Sequence, residues 1–93
     1  MLDKATVKAR VTHIELLDKI TEACTILDGI DEEAYWIGEN NYKSRCSTDP
    51  KARKVACSEI SKRLGKINER YQELNRVFRE MDEKTLELLK DSV

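Results

Sequence analysis

Ala34-Tyr35-Trp36-Ile37-Gly38 lies near the middle of this 93-residue chain and divides two helical patterns. It holds the only Trp, and it separates an acidic, apolar-striped first third from a longer second half with a cleaner repeat. A large amphipathic ring buries much area when it caps the end of a helix pair, and a following Gly accepts backbone angles that other residues resist. Trp36 and Gly38 therefore read as the corner of a hairpin. The plainer alternative makes Trp36 a core aromatic and Gly38 a helix stop. On the corner reading, helix 1 covers about residues 3–35, a corner and polar loop about 36–49, and helix 2 about 50–90, all within one domain, 1–93.

Outward from that stretch, both arms carry helical spacing. Before it, Val7, Val11, Ile14, Leu17, Ile20, Cys24 and Leu27 recur in steps of three or four. Leu16, Ala23, Ile26, Ile30 and Ala34 widen the stripe beyond a two-stranded seam, as in a helix with more than one neighbour. Asp3 is placed to act as N-cap. Gly29 either loosens this helix or admits a close neighbour, and both options stay open.

Beyond the corner, Asn40, Asn41, Ser44, Ser47 and Thr48 make residues 39–49 turn-like. Asp49-Pro50 reads as N-cap and first helical position; a continuous helix kinked at the proline is the alternative. From there Cys57, Ile60, Leu64, Ile67, Tyr71, Leu74, Phe78, Met81, Thr85 and Leu88 form a heptad seam. Ile60, Leu64, Ile67, Tyr71, Leu74 and Met81 are its candidate partner-interface residues. Such a seam must be covered by the first helix and by another chain. The expected fold class is all-α: an antiparallel hairpin of two long helices, two of which assemble into a four-helix bundle.

Composition excludes more than it assigns. Charged residues make up 38% and aromatics 5%, which favours helices over sheets. Net charge is -1, but residues 1–42 sum to -5, residues 43–66 to +6 and residues 67–93 to -2. A reversal near Trp36 would bring Asp28, Asp31, Glu32 and Glu33 close to Lys51, Arg53 and Lys54. The basic block has no groove-reading or stacking motif, so no nucleic-acid partner is expected. One His, scattered carboxylates and no Gly-rich phosphate loop supply no catalytic set, so no catalytic residue, cofactor or metal ligand is assigned. Cys24, Cys46 and Cys57 match no metal spacing and read as free thiols. Met1 to Arg10 lacks an apolar signal region, and no span is apolar enough for membrane insertion, so synthesis in the cytoplasm without a cleavable signal is expected.

The chain length, the two long helices and Tyr35-Trp36-Ile37-Gly38-Glu39 together resemble the WXG family of type VII secretion proteins, relatives of the early secreted antigenic target proteins. A second family signature is a bulky apolar residue, an acid four later, then apolar positions three and four further on. Phe78, Asp82, Thr85 and Leu89 match that spacing, with Thr85 a weak apolar residue. The resemblance implies a small bacterial non-enzymatic protein that forms a homodimer or a heterodimer with a related helical protein. It also implies export by a membrane secretion ATPase, and, for some members, binding to the helical N-terminal region of a larger secreted toxin. Phe78, Asp82, Thr85 and Leu89 would then carry the export or docking signal. A coiled-coil adaptor or chaperone unrelated to secretion is the rival reading, because it needs only the seam.

Overall fold

A computed structural model describes residues 2–91 of the chain. It consists of two helices, α1 over Lys4–Cys46 and α2 over Pro50–Asp91, packed side by side as an antiparallel hairpin. The rod measures 72 × 19 × 14 Å with a radius of gyration of 20.9 Å, against about 12 Å for a compact globule of this length.

Local chemistry explains where each helix begins and where the chain reverses. Asp3 caps α1: its Oδ1 accepts the Thr6 N–H at 2.7 Å. Ser47 leaves the helix with extended backbone, its Oγ accepts the Asp49 N–H at 3.2 Å, and Asp49 Oδ1 accepts the Lys51 N–H at 3.0 Å. Pro50 then occupies the first position of α2, where its missing N–H leaves no helical bond unmade. Lys43 and Arg45 in the last turn of α1 complement its carbonyl end.

The corner assigned to Trp36 and Gly38 is therefore corrected. Both residues lie inside α1, which runs on to Cys46, and the reversal is confined to Ser47–Asp49. Gly38 has ordinary helical backbone, and a Cβ on it would meet nothing within 4 Å. Helix propensity disfavours Gly by about 1 kcal/mol, too little to break a helix that packs against a neighbour over its whole length. The turn-like Asn40, Asn41 and Ser44 are likewise helical, and the buried Asn40 donates from Nδ2 to the Trp36 carbonyl at 2.8 Å.

Moving the turn changes the register of the two arms. Glu33 meets Arg63 rather than the Lys51–Lys54 group that a reversal at Trp36 would supply. Ion pairs Glu22–Arg76, Lys19–Glu80 and Glu15–Lys84 continue the same register toward the open end. Gly29 neither loosens α1 nor admits a backbone; the Arg70 guanidinium lies across it, 2.6 Å from where a Cβ would stand.

The core is thin. Ala23, Ile26 and Ile30 of α1 pack against Leu74 and Val77 of α2, with Ile67 and Met81 half-buried beside them. Val77, absent from the expected seam, is the most deeply buried residue at 0% exposed. The expected α1 face is met in part: Leu16, Ala23, Ile26 and Ile30 turn toward α2 with Thr12, whereas Val7, Val11, Ile14, Leu17, Ile20, Cys24, Leu27 and Ala34 are exposed. A helix with apolar residues on more than one face can offer a single neighbour only one of them.

Candidate functional site: an open apolar groove on one flank of the hairpin

The two flanks of the rod differ in chemistry. On one, interhelical ion pairs close the seam. Glu22 Oε1 accepts from Arg76 Nη2 at 3.2 Å, Glu80 accepts from both Lys19 and Arg76, and Lys84 donates to Glu15. Lys19 above all, with Arg76, holds the Glu80 carboxyl below its ordinary range, while Glu80 raises Lys19 and Glu15 raises Lys84. Toward the turn, Glu33 is buried against Arg63, whose Nη1 donates to Glu33 Oε2 at 3.0 Å and whose Nε faces Glu59 at 3.1 Å. The Trp36 ring lies under the same guanidinium, 5.5 Å from it, with Tyr35 edge-on at 5.3 Å. Trp36 thus serves the polar flank as a cover for an ion pair.

The opposite flank carries no such closure. In the register set by Glu22–Arg76, Ile20 stands level with Phe78, Leu27 with Tyr71, and Ala34 with Leu64. These positions recur every seven residues on each helix, so the three levels lie on one side of the rod. Ile20, Leu27, Leu64, Tyr71 and Phe78 are each 40–54% exposed, and Ala34 is exposed too. Toward the open end the same line passes His13 and Thr85, which share a shallow depression with Ala9, Leu88 and Leu89. The outer rims hold Leu17, Cys24, Asp31 and Gly38 on α1 and Ser61, Asn68, Asn75 and Asp82 on α2, so they carry few charges and no cation. Sparse rim charge lets another helix approach with little charge to strand.

The expected interface residues divide between the two seams. Leu74 is buried, and Ile67 and Met81 pack against the core cluster; Ile60 is half-buried at the same heptad position. Leu74 is taken up within the hairpin, a correction to its assignment as a partner contact, while Ile60, Ile67 and Met81 are half-buried there and keep part of their surface. Leu64 and Tyr71 face the groove and remain available. Phe78 and Asp82 share an exposed depression with Gln72, Asn75 and Arg79. Thr85 and Leu89 are exposed one and two turns further on, and Leu89 also borders Leu86 at the end of α2. Ile20, Leu27 and Ala34 belong to the broad α1 face that the sequence assigns to more than one neighbour; their common spacing of seven is the signal that sets them on one line.

Among the described residues, no cluster of three or more His, Cys, Asp or Glu side chains could hold a metal ion, and Cys24, Cys46 and Cys57 are exposed free thiols. No described helix is long and apolar enough to cross a membrane. The chain matches no protein-family model, no curated protein and no solved structure.

Proposed function

We propose that this chain is a non-enzymatic helical interaction module, whose open groove is closed by the helices of a second hairpin, either its own copy or a related chain. The product is a four-helix bundle. The observation that carries this reading is the groove itself, five large apolar side chains and Ala34 aligned on three levels without cover. Surface area supports it. The hairpin exposes 7229 Å², whereas a compact monomer of 10.8 kDa exposes about 5,500 Å². The excess of about 1,700 Å² follows from the elongated shape, which leaves a long side on which a stable association could bury its usual about 800 Å² per partner. Light scattering on the purified chain tests it: a mass twice 10.8 kDa is expected, falling to the single-chain mass in Leu64→Glu/Phe78→Glu. Retention of the doubled mass in that variant would exclude this flank as the interface.

A second reading, a small exported partner in bacterial type VII secretion, is favoured by one observation. Phe78 and Asp82 border the same exposed depression, and Thr85 and Leu89 extend that exposed side of α2. An apolar anchor beside a carboxylate is a compact docking epitope for a secretion ATPase or for the helical N-terminal region of a larger toxin. Trp36 and Gly38 lend this reading no support, since neither sits at the bend. Export of the chain in its own host with Phe78→Ala/Asp82→Ala is the test: loss of export with the helical fold intact supports the signal, and normal export removes it.

A further inference from the structure

The bend end of the rod is a separate surface with its own chemistry. Residues 40–58 hold five cations, Lys43, Arg45, Lys51, Arg53 and Lys54, and a single acid, Asp49, while the remainder of the chain carries a net charge of -5. All five cations are exposed, and among the described residues none of them enters an ion pair, in contrast to Lys19, Arg63, Arg76 and Lys84 along the polar flank. Asp49, exposed at the turn with its Oδ1 accepting the Lys51 N–H at 3.0 Å, offsets one of them and leaves residues 40–58 at a formal +4. Two exposed apolar side chains accompany them, Tyr42 on α1 and Val55 on α2; Val55, at 70%, has the greatest exposure of any large apolar residue described.

We infer that this end docks, tip first, on a surface of anionic lipid headgroups. The distribution of charge favours a flat surface over a nucleic acid. Immediately behind the tip, residues 28–39 of α1 carry five acids, Asp28, Asp31, Glu32, Glu33 and Glu39, and no cation. Lys62, Arg63 and Lys66 of α2 stand level with that stretch, Arg63 already paired with Glu33, so a polyanion lying along the rod meets mixed charge, whereas a plane touched end-on meets five cations against Asp49 alone. The chemistry also fits the headgroup layer. Clustered Lys and Arg are attracted to anionic phosphates at short range, and an amphipathic Tyr and a small apolar Val suit the boundary between headgroups and hydrocarbon. Contact is peripheral, since no described helix could cross the bilayer. The groove faces sideways from the rod and stays free, so this inference does not rest on how the groove is filled.

Cosedimentation of the full chain with vesicles tests the assignment. Vesicles of mixed phosphatidylglycerol and phosphatidylcholine should bind it at low salt and release it at about 0.5 M salt, where charge is screened within a few ångströms. Pure phosphatidylcholine should not bind. Lys51→Glu/Arg53→Glu/Lys54→Glu should weaken binding by at least about tenfold, whereas Lys4→Glu/Lys8→Glu at the open end should change it by less than about threefold, circular dichroism reporting the helical fold of each variant. Failure to bind anionic vesicles, or equal loss in both variants, overturns the proposal. Tighter binding to duplex DNA at equal phosphate concentration transfers the tip to a nucleic-acid partner. Displacement by inorganic phosphate beyond that by chloride of equal ionic strength reveals a discrete phosphate site and likewise ends the lipid assignment.

Discussion

Arg63 of α2 donates from Nη1 to Glu33 Oε2 of α1 at 3.0 Å while its guanidinium lies over the Trp36 ring. The two helices are locked in register here, because both partners are largely withdrawn from water; among the described residues Glu33 pairs with Arg63 alone, while Arg63 also faces Glu59 at 3.1 Å. Removing the cation alone leaves a buried carboxylate without its neutralising partner. Arg63→Ala is therefore expected to destabilise the hairpin by about 2 kcal/mol, between an exposed and a fully buried pair. Glu33→Ala/Arg63→Ala should cost less than the sum of the single changes. Chemical denaturation of the three variants, followed by circular dichroism, measures this; strict additivity would deny the coupling.

Glycine positions give opposite outcomes. Gly38 and Gly65 are helical, and a Cβ at either would meet nothing within 4 Å. Ala at each should stabilise the chain by about 0.5–1 kcal/mol. Gly29→Ala must displace the Arg70 guanidinium, so it should gain less or lose stability. Thermal melts of the three single variants test the pattern. A destabilising Gly38→Ala would revive a bend at that residue.

Leu74 and Phe78 are neighbours in one sequence seam but belong to different surfaces. Leu74 is buried in the core and Phe78 is 46% exposed beside the groove. In the monomer, Leu74→Ala should cost about 2–4 kcal/mol and Phe78→Ala less than about 1 kcal/mol. Urea titrations at a concentration too low for association separate the two; equal costs would mean that both residues are core.

This pair shows how far the sequence could be read. Steps of three and four identified two helices, and Asp49-Pro50 marked the start of the second, because the cap and the proline act locally. The same steps merged two lines of positions, each seven apart, of which one faces α1 and the other faces outward. Periodicity measures how wide an apolar face is, and the neighbour it will choose depends on contacts distant in sequence. Val77 was hidden for that reason: it lies on the third line, between Leu74 and Met81, and only α1 reveals its burial. Trp36 misled because a rare large ring beside a glycine reads as a corner, while its actual role, covering Arg63, depends on a residue 27 positions away.

Stability should form a plateau with sloping flanks in pH. Glu80 is held below its ordinary value of 4.5 chiefly by Lys19, and Asp3 below 3.8 by the Thr6 N–H. Both contributions are complete above the unfolded values and are lost as pH falls through the lower folded ones. Lys19, raised by Glu80, and Lys84, raised by Glu15, contribute fully below 10.5 and are lost as pH climbs through their higher folded values. Melting temperature should therefore be flat between about pH 5 and 10 and fall on either side. Glu80→Gln should flatten part of the acid flank; an unchanged acid slope in that variant would remove the Lys19–Glu80 pair as its source.

Sedimentation equilibrium of the purified chain beside Tyr71→Glu and Lys62→Glu tests the groove by its middle level. Tyr71 lies at that level, whereas the exposed Lys62 shares the heptad position of Arg76, which pairs across the polar flank. The wild type and Lys62→Glu should associate to twice the chain mass, and Tyr71→Glu should remain a folded monomer. A wild-type chain that stays monomeric and cooperatively folded at roughly 1 mM, where even associations weaker than micromolar are populated, with Tyr71→Glu indistinguishable from it, would contradict the claim that this flank requires a helical cover.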